Sequence, residues 1–417
     1  MTAPLAAAEA AGRVLLDVRR QPALRIPLDD ALGSVLAEDV ASPIDIPAYT
    51  NSAMDGYAAR GQDVRGASES KPVQLTVVEH LPAGRFPTKV IGPGQCARIF
   101  TGAPVPEGAD SVIRQEDTDE GARTVTILKD RDVGVNTRRA GEDIKKGTTV
   151  LTEGIELGPA QLGVLASLAV AHPLVYRRPR IGILGSGDEI VDVDQPEEIL
   201  SGRKIASSNT HTLVAMVRQS GGEPVNLGIA ADTPESLREH LGRAVDCDLL
   251  VTSAGISVGE HDYVRSVLEE LGATQRFWKL RMRPGAPVGF GLLGEVPWIG
   301  LPGNPVSTMV TYELFVHPAI RKMMGHTRAF RRSVPVRMAE PISLKPKLQH
   351  FLRGVVTEGV RGPEARLTGP QGSGILTSMA LANALLVIPE GHQETPAGSV
   401  VQALILNDPV HQEQPGF

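Results

Sequence analysis

The chain has 417 residues and a formal net charge of −6, with 41% hydrophobic and 22% charged residues. That balance fits an ordinary globular protein of about three domains and excludes a general nucleic-acid binder, which needs concentrated Lys and Arg against a phosphate backbone. Two cysteines, Cys96 and Cys247, cannot build a disulfide framework; the ten His lack zincin spacing, and the longest apolar run is too short for a bilayer. With no signal-peptide pattern, the expected address is the cytoplasm.

Residues 3–40 alternate helical patterns with turns: Ala6–Val18 is amphipathic, and Leu28–Leu36 repeats the pattern after Asp29 and Asp30. Pro43-Ile44-Asp45-Ile46-Pro47 reads as a crossing linker, and Ser52–Tyr57 reads as a turn. Short β runs at Val73–Glu79, Gln95–Phe100, Ser111–Gln115 and Thr124–Leu128 predict a small antiparallel domain, with Thr101–Pro106 as a turn between two strands. A helix is expected over Pro159–Ala169.

From Arg180 to Tyr312 three apolar runs each end in a loop of small and polar residues. Ile181–Leu184 leads into Gly185-Ser186-Gly187-Asp188-Glu189, and Leu249–Thr252 leads into Ser253-Ala254-Gly255-Ile256-Ser257. Trp298–Leu301 leads into Pro302-Gly303-Asn304-Pro305-Val306-Ser307. Such runs, separated by helical patterns, read as parallel strands of a doubly wound sheet, whose carboxyl-end loops share one ligand crevice. Helices are expected at Asn209–Gln219, after the Thr233 cap, and after Asp262. Beyond Gly325, runs at Ser333–Met338, Phe351–Val356, Ala384–Ile388 and Ser399–Ile405 predict a small barrel or sandwich.

The first loop reads as a glycine-rich approach for a phosphate or as an ordinary strand-to-helix turn, and it lacks the dinucleotide fingerprint because Ile190 stands where its last glycine belongs. Asp188 and Glu189 would repel a phosphate unless a divalent cation joined them to it. Asp232 and Asp262 read equally as helix or loop caps and as ligands; with Glu189 they form a candidate Mg²⁺ set. Alternation over Phe277–Arg283 puts Lys279, Arg281 and Arg283 on one strand face, and the rigid Pro284–Pro287 turn follows directly. That is a cation-lined corner suited to an oxyanion, or a solvated edge strand. Pro302–Ser307 is an anion-facing helix start, or a capped helix with Asn304 as turn residue.

Taken together, Asn51–Ala58, Thr101–Pro106, Gly141-Glu142-Asp143-Ile144, Gly185–Glu189, Ser257–Tyr263, Phe277–Pro287 and Pro302–Ser307 resemble the molybdopterin molybdenumtransferase family, to which the E domain of gephyrin belongs. The resemblance covers nearly the whole chain. It implies a multidomain protein with a doubly wound α/β domain of molybdopterin-binding type at 178–325 and a small β domain at 47–140. A discontinuous helical linker domain would take 1–46 and 141–177, and a C-terminal β-barrel-like domain 326–417. It implies a homodimer whose cleft lies between the α/β domain of one subunit and the small β domain of the other. The implied substrates are molybdate and adenylylated molybdopterin, with Mg²⁺-dependent cleavage of the phosphoanhydride releasing AMP. Molybdopterin adenylyltransferase and molybdoenzyme assembly proteins are further candidate partners.

Carried over residue by residue, the catalytic set is Asp55, Thr101, Glu189, Asp232, Asp262 and Lys279, with Glu189, Asp232 and Asp262 on Mg²⁺. Arg138, Ser257, Arg283, Pro287, Ser307, Arg353 and Ser373 are the implied substrate and molybdate contacts. Two departures stand out. The usual Lys-Pro-Gly-Lys-Pro is Arg283-Pro284-Gly285-Ala286-Pro287 here, and the usual Gly-Gly is Ala254-Gly255. Losing one charged hydrogen bond to an oxyanion costs about 1.5–3 kcal/mol. A working insertase, a fold-retaining scaffold paralogue with weak activity, and a molybdopterin adenylyltransferase are the functions this pattern allows.

Overall fold

The computed structural model describes residues 4–255, 263–345 and 347–407. They fall into two compact units, one of Met1–Ala37, Gly154–Leu162 and His172–Phe417, the other of Glu38–Glu153 and Gly163–Ala171.

The smaller unit is built on a five-stranded sheet in the order Ser111–Arg114, Gly56–Ala59, Gln95–Ile99, Val73–Leu81, Thr124–Ile127. The four strands expected from β runs are all present, but two expectations fail. Val73–Leu81 runs parallel to Gln95–Ile99, so the sheet is mixed. Gly56–Ala59, whose first two residues fall in the turn expected at Ser52–Tyr57, is a strand buried between two antiparallel neighbours. Short runs rich in Gly and Ala carry little strand propensity, and here the neighbours on both sides decide. Gly56 cannot be replaced in this arrangement: a Cβ on it would lie 2.0 Å from the Ile113 carbonyl oxygen.

In the larger unit the doubly wound reading is borne out. The strands Glu223–Ala230, Arg180–Ser186, Leu249–Ser253 and Val296–Leu301 lie side by side in parallel, extended antiparallel by Pro287–Leu293 and Thr274–Lys279. Ile181, Ile183, Leu249, Val251 and Ile299 are wholly buried, each contributing about 1.5–3 kcal/mol of apolar burial. Helices Ser208–Gln219, Pro234–Gly242 and Tyr263–Glu270 connect the strands, and Thr233 caps the second through a bond from Ser236 N to its hydroxyl. After Pro305 the chain is helical to Met323, with a π-helical turn at Tyr312–Val316.

The C-terminal part is a closed barrel. Gln349–Gly359, Gly362–Leu367, Ser333–Met338, Val400–Ile405 and Ala384–Ile388 pair in that order, and the last pairs back with the first. Full closure leaves none of the five with an open edge along its paired length.

The structure corrects two further expectations in this unit. Leu28–Leu36 is helical only as a 3₁₀ turn at Leu28–Asp30. Gly33 then takes a φ of 72°, and the chain runs extended, with Gly33 N bonded to Leu157 O and Leu36 N to Ile155 O. The stretch Phe277–Arg283 is not one strand. Thr274–Lys279 belongs to the α/β sheet, whereas Met282–Arg283 pairs in parallel with Gln349–His350 of the barrel. The burial alternation survives the break: Lys279, Arg281 and Arg283 are exposed, Leu280 and Met282 buried. No helix among the described residues is long and apolar enough to cross a membrane.

Candidate functional site

The three loops at the carboxyl ends of the central strands share one cleft, a cavity of about 480 Å³. Glu189, Ser253, Ala254, Pro287, Gly303 and Asn304 are among its lining residues. A residue the sequence reading passed over ties the loops together. Asn209, in the first turn of the helix Ser208–Gln219, donates from Nδ2 to Ser253 Oγ at 2.8 Å and to the Gly303 carbonyl at 2.7 Å. The run Ser207-Ser208-Asn209-Thr210 reads locally as helix-capping chemistry, so only the approach of two distant loops discloses this role. Ala254, at the usual Gly position, holds a φ of 78°, a left-handed conformation that costs a non-glycine residue about 1–2 kcal/mol.

The cationic corner forms as a tight turn. Leu280 N donates to Ala286 O at 2.8 Å, and Gly285 has a φ of 93°. A Cβ on Gly285 would sit 2.4 Å from Thr311 Cγ2, so only glycine lets the corner pack against the helix that carries Ser307. Ser307 is buried in the first turn of that helix, two residues after Pro305. Arg283 and Lys279 remain exposed, while Arg281 is engaged elsewhere, donating to Glu390 at 3.1 Å and to the Pro4 carbonyl at 2.6 Å.

The barrel adds a loop to this region. Ser373 accepts from Asn304 Nδ2 at 3.1 Å, and its carbonyl accepts from Val306 N at 3.1 Å. Arg353 lies beneath that loop with none of its surface exposed. Its Nε donates to Ser378 Oγ at 3.0 Å and its Nη2 to the Gly372 carbonyl at 2.9 Å, while buried Nη1 has no partner. No carboxylate pairs with it among the described residues, and burial pushes the guanidinium down to about 10. It therefore stays charged at neutral pH inside the protein and is not itself open to the cleft.

The acids are arranged more sparsely than the sequence suggests. Asp188 and Asp232 face each other, Asp232 N donating to Asp188 Oδ1 at 3.1 Å and Asp188 N to Asp232 Oδ2 at 3.4 Å. Glu189 lines the cleft, whereas Asp188 lines a neighbouring cavity with Asp192 and Lys204. No group of three or more His, Cys, Asp or Glu able to hold a metal is present among the described residues. Asp262 and Ser257 lie outside those residues.

In the smaller unit, Ser52–Tyr57 and Thr101–Pro106 are brought against each other. Ser52 N bonds to Ala103 O, and Gly102 N to Ser52 O, both at 2.9 Å. Asp55 Oδ1 accepts from Thr101 N at 2.8 Å and from Thr101 Oγ1 at 2.7 Å. These bonds, the backbone one foremost, hold the Asp55 carboxyl below the usual carboxylate range, against a small opposing effect of burial. Arg98 adds a lesser positive field at Asp55, its guanidinium lying 4.9 Å from the Tyr57 ring centre and 5.0 Å from that of Phe100. Arg138 stands exposed on a short strand opposite Asn51. Sequence alone does not single out Arg98: Phe100 is two residues away, but Tyr57 reaches it only through the pairing of two strands. The two cysteines are buried, and burial pushes Cys96 up to about 12, which makes it a structural thiol.

A doubly wound domain with a polar carboxyl-end crevice, joined to a closed five-stranded barrel, defines a multidomain ligand-binding protein of the α/β class. Three family models divide the chain: MoeA N-terminal region (domain I and II) over residues 5–169, probable molybdopterin binding domain over 182–322, and MoeA C-terminal region (domain IV) over 335–406. The protein named molybdopterin molybdenumtransferase in Nostoc sp. is 38% identical over 91% of this chain and 87% of its own length. The protein of that name in Bacillus subtilis is 32% identical over 99% of this chain and 96% of its own. A crystal structure of molybdopterin biosynthesis moeA protein from Pyrococcus horikoshii OT3 superposes with a TM-score of 0.82 at 30% identity, covering 97% of this chain and all of that one. The chain belongs to the molybdopterin molybdenumtransferase family.

Proposed function

We propose that this transferase of molybdenum-cofactor biosynthesis moves molybdenum from molybdate to the dithiolene of adenylylated molybdopterin, cleaving the phosphoanhydride and releasing AMP. The observation that carries the oxyanion part is Arg353. A wholly buried guanidinium with no carboxylate partner among the described residues and an unpartnered Nη1 is costly unless its charge serves an anion. It sits beneath the loop that joins Ser373 to Asn304 of the cleft. Its charge raises the potential at that loop, while Arg283, Lys279 and Ser307 supply the donors nearest the corner.

Mg²⁺ completes its shell with water and substrate phosphates, so a cleft acid such as Glu189 can share it with few other carboxylates. Glu189, Asp232 and Asp262 are the residues that would hold it. When bound, such an ion neutralises phosphate charge and polarises the phosphoryl oxygen. Glu189 lines the cleft, Asn209 fixes the loops around it, and Asp55 stays ionised through its bonds to Thr101. A homodimer and a cytoplasmic address complete the reading.

Ala286 and the left-handed Ala254 favour one alternative, a paralogue that keeps the fold and inserts metal poorly. Mixing the protein with Mg²⁺ and adenylylated molybdopterin, and measuring AMP with and without molybdate, separates the two. Molybdate-stimulated release supports the insertase; unstimulated release at millimolar oxyanion refutes it.

A further inference from the structure

A second cationic pocket lies away from the cleft, where the helix His317–Met323 gives way to the chain entering the barrel. It is an open cavity of about 350 Å³ lined by His317, Arg321, Arg328, Arg331 and Arg332, with Phe330 and Ile405 of the last barrel strand also in its wall. No carboxylate is among its lining residues, in a protein whose net charge is −6. Two of the four guanidiniums are already compensated. Arg331 forks onto buried Glu313 at 2.8 and 3.3 Å, and Arg321 meets Glu156 at 3.4 Å. Arg328 and Arg332 make no ion pair among the described residues and stand exposed, leaving two positive charges at the mouth.

The floor is a prepared polar group. His317 is 4% exposed, and its Nδ1 lies 2.9 Å from Ser220 Oγ, which lies 2.9 Å from the buried Tyr312 hydroxyl. With Nδ1 committed to that chain, Nε2 is the ring nitrogen left for whatever enters the pocket. Burial first, then the fields of Arg331, Arg321 and His326, hold His317 down to about 3, so the ring is neutral and can donate one N–H. A ring in that state adds no charge of its own to the site.

We propose that this pocket is a second anion site that takes a phosphomonoester, with Arg328 and Arg332 binding the phosphate and His317 donating from below. Paired guanidiniums match tetrahedral oxyanions with parallel N–H bonds, which a lysine cluster would not do as well. The cavity is larger than one phosphate group, and the exposed Phe330 ring offers an apolar wall for the rest of the ester.

The test uses the full chain at low ionic strength, with inorganic phosphate and ribose 5-phosphate as separate probes, read by calorimetry and by the NMR signals of the His317 ring. Both probes should bind and move the His317 signals; tighter binding of ribose 5-phosphate identifies the ester, and equal binding identifies free phosphate as sufficient. The double variant Arg328→Ala/Arg332→Ala should weaken binding at least about tenfold, as expected for lost charged hydrogen bonds. Arg13→Ala/Arg203→Ala removes the same charge from exposed ion pairs elsewhere and should leave binding unchanged. Arg332→Lys keeps the charge but not the planar fork, and should fall between the double variant and the unaltered protein. Absence of binding by either probe at about 10 mM, a concentration that detects even weak sites, overturns the proposal. Equal weakening in the Arg13/Arg203 control overturns it as well, by reducing the effect to net charge.

Discussion

Ala286→Lys is the substitution that most directly interrogates the oxyanion corner. Ala286 is half-buried between exposed Arg283 and cleft-lining Pro287, and its backbone oxygen, not its side chain, closes the turn onto Leu280 N at 2.8 Å. A longer side chain can therefore be added without breaking the bond that forms the corner. The new ammonium would supply one charged hydrogen bond to an oxyanion held there, worth about 1.5–3 kcal/mol. Converted at about 1.4 kcal/mol per decade, that is a gain of roughly 10- to 150-fold in apparent molybdate affinity. The assay is molybdate-dependent AMP release from adenylylated molybdopterin, with molybdate varied and the nucleotide substrate saturating. A fall in the molybdate concentration for half-maximal rate, with little change in nucleotide KM, is the expected result. An unchanged molybdate dependence in a folded variant would show that the corner does not touch the oxyanion, and the reasoning from its charge would fail.

Three further outcomes follow from the geometry. Arg353→Met removes a buried unpaired charge together with two hydrogen bonds, so stability should stay within about 2 kcal/mol while molybdate-dependent turnover drops about tenfold or more; denaturant unfolding beside the AMP assay tests this, and undiminished turnover refutes it. Gly56→Ala drives a Cβ to 2.0 Å from the Ile113 carbonyl oxygen, a backbone atom held in the sheet, and should destabilise the smaller unit by about 3 kcal/mol or more; an unchanged urea transition would contradict the register. Thr101→Val deletes the side-chain donor to Asp55 but keeps the N–H. Asp55 is depressed in the folded state, so its ionised form stabilises the fold above the ordinary carboxylate pKa, and that contribution is lost as pH falls through the depressed value. The variant should raise the Asp55 pKa seen by carboxyl NMR toward the ordinary range, and no movement would mean that the side-chain bond is immaterial.

Sequence by itself determined the parallel core and the existence of its cleft. Buried parallel strands must be almost continuously apolar, so Ile181–Leu184, Leu249–Thr252 and Trp298–Leu301 announce themselves, and the loops that follow must emerge together. Periodicity likewise fixed which side of Lys279–Arg283 faces solvent, because alternation survives even where the strand breaks. What tertiary structure decided was partnership. The switch of Met282–Arg283 to the barrel, the burial of Gly56–Ala59 as a strand within its sheet, and the failure of Leu28–Leu36 to stay helical depend on backbone groups finding partners distant in sequence. Asn209 bridging two loops, Arg98 seated against the Tyr57 ring, and Arg353 sealed without a counter-ion among the described residues are of the same kind. A residue's type fixes what it can donate or accept, but only the folded chain decides which distant atom stands 3 Å away to receive it.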